Sequence, residues 1–439
     1  MALAPPTSLV FKVQRCKPEL VAPAKPTPYE FKQLSDIDDQ KGLRFQISTI
    51  HFYKHDFSIL KEIRDPVKVI REALAQTLVF YYPFAGRLRK GPSRKLVIEC
   101  TGEGVMFIEA NANITLEQFG DLLFDVPNSG GILHCPLLLI QVTRLKCGGF
   151  IFAVRLNHTM SDAVGLVQFM MAMGEMACGA CAPSILPVWQ RHLLQARNPT
   201  QVTCTHHEYV DMASTVAVPI PLNDVISHRT IFFGSTEVSA LRRCMPHHLK
   251  QCSTFELLTA CLWRCRTIAL QTNPQEEVRV LCAVNARDKF KPPLPNGYYG
   301  NVCAFGVALA TAQKLCKNPL GYAVELLKKA KNNVTEEYLR SVIDLMIIKG
   351  RPHFSVVGSY LVSDVTRTRF GEVDFGWGKP FYGGPAREAI PGVSSFYIPS
   401  KNSKGENGIV VPISLPVQAM ERFENQLDIL LVEGPTSHL

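Results

Sequence analysis

The residues whose types and spacing could do chemistry lie together in His158-Thr159-Met160-Ser161-Asp162 of this 439-residue chain. An imidazole with an ordinary pKa of about 6.5 takes up a proton near neutrality, and a carboxylate four residues on could orient it or serve elsewhere. The spacing alone is weak, because His207-Glu208-Tyr209-Val210-Asp211 repeats it in a polar stretch. Context separates the two. Before His158 runs Phe150-Ile151-Phe152-Ala153-Val154-Arg155-Leu156-Asn157, apolar and rich in β-branched and aromatic residues, which reads as a buried strand. After Asp162, apolar residues at three- and four-residue spacing from Ala163 to Met170 read as a helix. A histidine where a strand gives way to a helix is held by rigid elements and can face a cleft, as a general base requires. A histidine merely packed at a strand end is the bland alternative.

The elements that must position this site follow from the rest of the chain. Leu34-Ser35-Asp36-Ile37-Asp38-Asp39 is a turn-like acidic opening, and Phe45 to Tyr53 alternates as a strand. Val67 to Tyr82 has helical spacing and is stopped by Pro83. Arg94–Cys100 and Val105–Ala110 read as a hairpin around Thr101-Gly102-Glu103-Gly104, and the run around Pro136 to Gln141 as another buried strand. From about Cys181 to Ser227 prolines and polar residues become frequent, which marks a crossover between two halves, residues 1–180 and 228–439. In the second half, Ser253 or Thr254 can cap a helix running through Leu257 to Ile268, and the free N–H groups of such an end suit a phosphate or a pantetheine amide. Val278 to Val284 is a strand candidate, Asn296 to Asn301 a glycine-containing turn, and Ala323–Ala330 and Glu336–Ile348 helices. Asp374-Phe375-Gly376-Trp377-Gly378 places two glycines around one of only three tryptophans, a tight turn rather than direct chemistry.

Composition narrows the function. A hydrophobic content of 46% with 19% charged residues is that of a well-buried globular protein, long enough for two domains. The net charge of +9 is scattered singly and in short pairs, which argues against nucleic acid and leaves attraction to an anionic small molecule. Fourteen cysteines at irregular positions, mostly in apolar segments, behave as small hydrophobes and imply a reducing compartment. Cys178 and Cys181 form a C-x-x-C without a second pair, and nothing beside Cys147 would activate a thiol for an acyl-enzyme route. Zinc spacing, a phosphate loop and a G-x-S-x-G elbow are absent, so no metal is expected. The stretch Met1 to Thr27 lacks the apolar core of a signal peptide, and Glu175 interrupts the best candidate for a membrane span, so a soluble chain is expected. Ser437-His438-Leu439 resembles the Ser-Lys-Leu peroxisomal signal; without it the location is cytoplasmic.

Four stretches together, Tyr82-Pro83-Phe84-Ala85-Gly86-Arg87, His158 to Asp162, Asn285-Ala286-Arg287 and Asp374 to Gly378, resemble the plant BAHD acyl-CoA-dependent acyltransferases over essentially the whole chain. Pro246-His247-His248-Leu249, Gly350-Arg351-Pro352-His353-Phe354 and Gly405 to Pro412 are similar to the benzyl alcohol O-benzoyltransferase branch of that family. The resemblance implies an α/β protein of two chloramphenicol-acetyltransferase-like domains, with parts of 355–410 able to pack on the first, and an active-site channel between them. It implies a monomer that joins an acyl-CoA and an alcohol at His158, with benzoyl-CoA and benzyl alcohol giving benzyl benzoate. Aliphatic ester formation, transfer to an amine, or a non-catalytic acyl-CoA-binding role are the alternatives. Trp377 N–H and Thr49 are candidate oxyanion donors. The family's aspartate pairs with an arginine, so Asp162 is expected to anchor Arg287, with Asp374 and Gly376 structural and Ser253 and Thr254 toward the CoA. Two segments, Leu116 to Asn128 and Gly383 to Gly392, are shorter than the branch leads one to expect, which bears on selectivity if either lines the channel.

Overall fold

The computed structural model describes residues 12–55, 64–92, 95–113, 133–210 and 225–432. Along the chain, β1 (Val13–Arg15), β2 (Glu19–Val21) and β3 (Phe31–Gln33) precede β4 (Gln46–Tyr53) and helix α1 (Pro66–Phe80). Next come β5 (Arg87–Lys90), β6 (Leu96–Glu99), β7 (Val105–Ala112), β8 (Leu138–Leu145), β9 (Phe150–Asn157) and α2 (Ala163–Ala177). Then follow β10 (Ile226–Phe233), α3 (Ser235–Arg243), α4 (Thr254–Ala269), β11 (Glu277–Asn285), β12 (Cys303–Thr311), α5 (Ala312–Lys317), α6 (Leu320–Asn332) and α7 (Glu336–Ile348). The chain closes with β13 (Ser359–Asp364), β14 (Tyr382–Pro385), β15 (Ser394–Lys401), β16 (Asn407–Pro416) and α8 (Val417–Val432).

These elements build a mixed α/β protein on two large sheets. The first has the order β1-β7-β8-β9-β4-β14, with β2 also on β7; the second is β10-β16-β15-β13-β11-β12; a small sheet β3-β6-β5 stands apart. Strand β9 is buried along its whole length because both of its faces are covered. Phe150, Phe152, Val154 and Leu156 enter the core shared with α1 and α2, while Ile151 and Ala153 enter a smaller cluster with Ile50 and Ile108. Each fully buried side chain of this size contributes about 1.5–3 kcal/mol. Helix α1 begins where the Asp65 carboxylate accepts the Val67 N–H and Pro66 supplies a preset φ, and it ends at Phe80, two residues before the expected stop. A second core gathers α4, α6 and α8 on the second sheet around the buried Trp263.

One expected pairing is corrected. β6 and β7 do not form a hairpin: β6 lies between β3 and β5, whereas β7 joins the first sheet, antiparallel to β1 and parallel to β8. The glycines between them carry the chain from one sheet to the other. Gly104 has φ +105°, its N–H donates to Ala85 O at 3.0 Å, and a Cβ there would lie 2.3 Å from Val21 O. A tight turn and a passage between sheets use the same residues.

A late segment also crosses over. β14 pairs antiparallel with β4, Tyr382 opposite Phe52 and Pro385 opposite Thr49, so a strand from the C-terminal half closes the edge of the first sheet.

Candidate active site

β9 delivers His158 at its end, and the backbone holds it there: the His158 N–H donates to Phe45 O at 2.9 Å. Its ring is fixed by Asn301, whose Oδ1 lies 3.1 Å from His158 Nδ1. The Asn301 amide has one orientation available, because its Nδ2 donates to Asp38 Oδ1 and to His158 O, both at 2.8 Å and both acceptors. Asn301 Oδ1 therefore accepts, Nδ1 of His158 carries the proton, and Nε2 holds the lone pair. Desolvation in the pocket pushes the imidazole below its ordinary pKa of 6.5, against the opposing pull of Asp162, Asn301 and Asp38. The neutral imidazole that this favours can accept a proton at Nε2.

Asp162 does not touch His158 in the manner of a triad carboxylate. It caps α2, Oδ1 accepting from Gly165 N at 3.1 Å, and takes a two-pronged contact from Arg287, Nη1 to Oδ2 and Nη2 to Oδ1, both 2.8 Å. Val302 N–H adds a bond at 3.0 Å, and Arg287 Nη2 also reaches Gly300 O at 2.7 Å. Burial pushes the Asp162 carboxyl up, but the Arg287 charge and these donors outweigh it and hold the group below the usual carboxylate range. The pair thus ties the loop after β9 to the Gly300–Val302 segment that carries Asn301. Gly165 makes the approach possible, since a Cβ there would lie 2.1 Å from Tyr299 O.

His158 lines a cavity of about 160 Å³. One wall comes from Phe45, from β4 with Ile47 and Thr49, and from β9 with Leu156; the facing wall comes from β11, β12, β13 and β15, with Ala283, Cys303, Phe305, Leu361 and Phe396. Phe354, Phe370, Ala389 and Ile390 complete it, so part of the segment Gly383 to Gly392 lines this cavity. An apolar cavity of roughly this size takes up a benzene-sized molecule. The Thr49 hydroxyl is buried in this wall and has no hydrogen-bond partner among the described residues.

Trp377 is elsewhere, which corrects its expected role as an oxyanion donor. Its ring packs edge-on against Phe150, centroids 5.2 Å apart, and the Arg64 guanidinium lies over it at 5.6 Å. Phe150 opens the strand that His158 follows, about 25 Å away along an extended chain. The turn around it is a buttress: Asp374 Oδ1 accepts from Gly376 N at 2.7 Å and Gly378 N at 2.9 Å, both glycines have positive φ, and Gly174 of α2 packs on the Asp374 carbonyl. Asp374 and Gly376 accordingly stand off the cavity, not at it. The second His-x-x-x-Asp behaves differently again. His207 lies in a short helical turn where its carbonyl accepts from Arg279, Glu208 is bound by Tyr338, and Asp211 lies outside the described residues.

Ser253 and Thr254 line a separate cleft of about 550 Å³ with Arg242, Lys250 and Arg367. Ser253 and Glu256 cap α4 reciprocally, Ser253 Oγ accepting from Glu256 N and Glu256 Oε2 from Ser253 N. Asp364 belongs to both this cleft and the His158 cavity, so the two adjoin. Sequence reasoning did not pick out Asn301, Asp38 or Arg191, nor the five phenylalanines of the cavity. Asn301 sat at the end of a predicted turn and Asp38 in an acidic one; nothing local marks either as a neighbour of His158. Among the described residues no group of histidine, cysteine and carboxylate side chains is arranged to hold a metal, and no helix is long and apolar enough to cross a membrane. Leu116 to Asn128 and the C-terminal Ser437-His438-Leu439 lie outside the described residues.

Comparison with known proteins places this geometry among relatives. The model of the Transferase family matches residues 11–430. Benzyl alcohol O-benzoyltransferase of Petunia hybrida is 68% identical over 439 residues, covering 97% of this chain and 95% of the relative. The protein of the same description from Nicotiana tabacum is 68% identical over 444 residues, covering 98% and 96%. Of solved structures, vinorine synthase superposes with a TM-score of 0.72 at 20% identity, covering 94% of this chain and 96% of that one. F. graminearum TRI101 complexed with coenzyme A and deoxynivalenol gives 0.70 at 17%, covering 90% and 97%. At such identities these two structures speak for the fold alone.

Proposed function

The chain belongs to the Transferase family, the BAHD acyl-CoA-dependent acyltransferases, and from that premise we propose that it transfers the benzoyl group of benzoyl-CoA to benzyl alcohol, with His158 as general base. The observation that carries this reading is the fixed tautomer of His158 at the wall of an apolar, aromatic-lined cavity. As the alcohol oxygen attacks the thioester carbonyl, Nε2 removes its proton, which an alcohol cannot shed unaided near neutrality. The carbonyl oxygen takes the negative charge, and the unpartnered Thr49 hydroxyl is available to donate to it. Collapse of the tetrahedral intermediate breaks the carbon–sulfur bond, and the imidazolium returns its proton to the departing thiolate. Benzyl benzoate and CoA leave, and the enzyme is unchanged. Five phenylalanine rings in the cavity favour one flat aromatic group there. The basic cleft at Ser253 and Thr254 suits the phosphates of CoA, with the pantetheine arm running past Asp364.

Activity is read from a matrix of acyl-CoAs against alcohols and amines, on wild type and His158→Ala. Benzoyl-CoA with benzyl alcohol should give the highest kcat/KM, and His158→Ala should lower kcat by about 10²- to 10⁴-fold. Turnover surviving that substitution sinks the base; a peak on aliphatic acyl-CoAs reassigns the donor; silence across the matrix supports a role limited to binding acyl-CoA.

The same reading takes the chain as two domains, 1–180 and 228–439, joined by the crossover 181–227 and acting as a monomer. The pairing of β14 with β4 supports part of 355–410 belonging with the first domain. Import into peroxisomes through Ser437-His438-Leu439 rests on the tripeptide. A fluorescent fusion with and without these residues tests it, and diffuse signal from both ends the idea.

A further inference from the structure

We propose that Asp38, held by Arg191 of the crossover, acts through Asn301 as a positioning residue that sets the basicity of His158, an inference that rests on His158 being the general base. The Asp38 carboxylate is fully buried. Oδ1 accepts from Asn301 N at 2.9 Å and Asn301 Nδ2 at 2.8 Å, and Oδ2 from Ser35 N at 3.2 Å and Ser35 Oγ at 2.7 Å. Arg191 Nε stands 3.4 Å from Oδ2, and Arg191 Nη2 donates to Met160 O at 2.8 Å, inside the loop that carries His158. The guanidinium is wedged among the rings of Trp189, Tyr298 and Tyr299, 4.4, 5.2 and 4.9 Å from their centroids. Gly300 leaves the space it fills, since a Cβ there would lie 1.1 Å from Arg191 Nη1.

The chemistry differs from that of a carboxylate bonded straight to an imidazole. A neutral amide stands between them, so Asp38 cannot take the Nδ1 proton; it can only polarise the amide that accepts it. When Nε2 gains the alcohol proton, the imidazolium forms within one amide's length of a buried negative charge, which stabilises it. Desolvation weakens the base, and Asp38 is among the groups that oppose it. The other charges around the site have their own partners. Asp162 is matched by Arg287, Asp36 by Lys95, and Asp39 by Arg44 and Arg351. Burial pushes the Cys303 thiol and the Tyr298 hydroxyl up to about 12, so both stay neutral through the working range. Arg191 meets the carboxylate at Oδ2, the oxygen that does not bond Asn301, and its positive charge offsets part of the effect. Removing the two charges should therefore move the histidine in opposite directions.

The test is the pH dependence of kcat/KM of the full chain, with melting curves on each variant. Asp38→Asn is expected to move the acid limb down by about one unit and to lower kcat roughly 10-fold, within the range that a positioned base contributes, with both KM values little changed. Arg191→Gln is expected to move the limb up. A purely structural role would change melting or the amount of active protein and leave both limbs where wild type has them; that result in folded variants overturns the proposal. If the Asp38 variant fails to fold, Arg191→Gln decides, and Asn301→Ala, which keeps both charges but removes the bridge, should move the limb down. His158→Ala separates the two claims, because turnover that survives it fails the base itself, whatever the limbs do.

Discussion

At the scale of single residues, His158 and Asp162 share a motif but do different work. Because desolvation holds His158 below 6.5, its lone pair is present across the neutral range, and the acid limb of kcat/KM for the wild-type protein is expected below pH 6.5. A limb at or above 6.5 on slow substrates would contradict the desolvated base. Unfolding at Asp162 does not produce that limb. A carboxyl whose folded pKa lies below its ordinary 3.8 stabilises the fold above that value and loses the contribution only as pH falls through the lower one. Asp162→Asn leaves Arg287 buried without its carboxylate, and about 3 kcal/mol of stability should be lost in denaturant unfolding. A variant that melts like wild type yet is inactive would return Asp162 to the chemistry. The sequence singled out His158, Asp162, Arg287 and Thr49, which lie around one cavity, and it misplaced Trp377 because a tight glycine turn looks alike beside a site and behind a strand.

Among elements, the decisive contact is α2 against the segment that follows Tyr298. β9 and α2 were legible from their apolar runs, and α7 from its periodicity, because those signals are local. That Gly165 lets the Tyr299 carbonyl approach α2, and so brings Asn301 onto His158, depends on a neighbour more than a hundred residues away. Gly165→Ala should displace this segment and lower kcat by about 10-fold or more with a smaller change in KM, as expected when geometry at a base is disturbed; a crystal structure of the variant with Asn301 still on Nδ1 and full activity would refute this. The hairpin between β6 and β7 failed for the same reason in reverse. Alternation marks a strand but not its partner, and Gly102 and Gly104 serve a passage between sheets as readily as a turn.

For the whole molecule, the charge that looked diffuse in the sequence gathers in part around the cleft of Arg242, Lys250 and Arg367. Attraction between exposed charges is screened by salt, so KM for benzoyl-CoA should rise with ionic strength. Arg367→Gln should raise that KM roughly three-fold at low salt, and the gap should close near 0.5 M salt, where screening is nearly complete; an equal effect at all salt concentrations would place the acyl-CoA elsewhere.

The amino-acid order by itself determined the strand and helix around His158, the capped start of α4 and the family, because each is carried by neighbours in sequence or by motifs read as text. Only the tertiary structure decided which nitrogen of His158 holds the lone pair, that the four buried aspartates around the site each find a cation, that β14 closes the first sheet, and that Trp377 stands behind β9. The physical reason is that hydrogen-bond partners, desolvation and cavity walls are properties of surfaces brought together from distant parts of the chain. Asn301 lies 143 residues from His158, and Asp38 a further 120 toward the N-terminus; no spacing rule spans such separations.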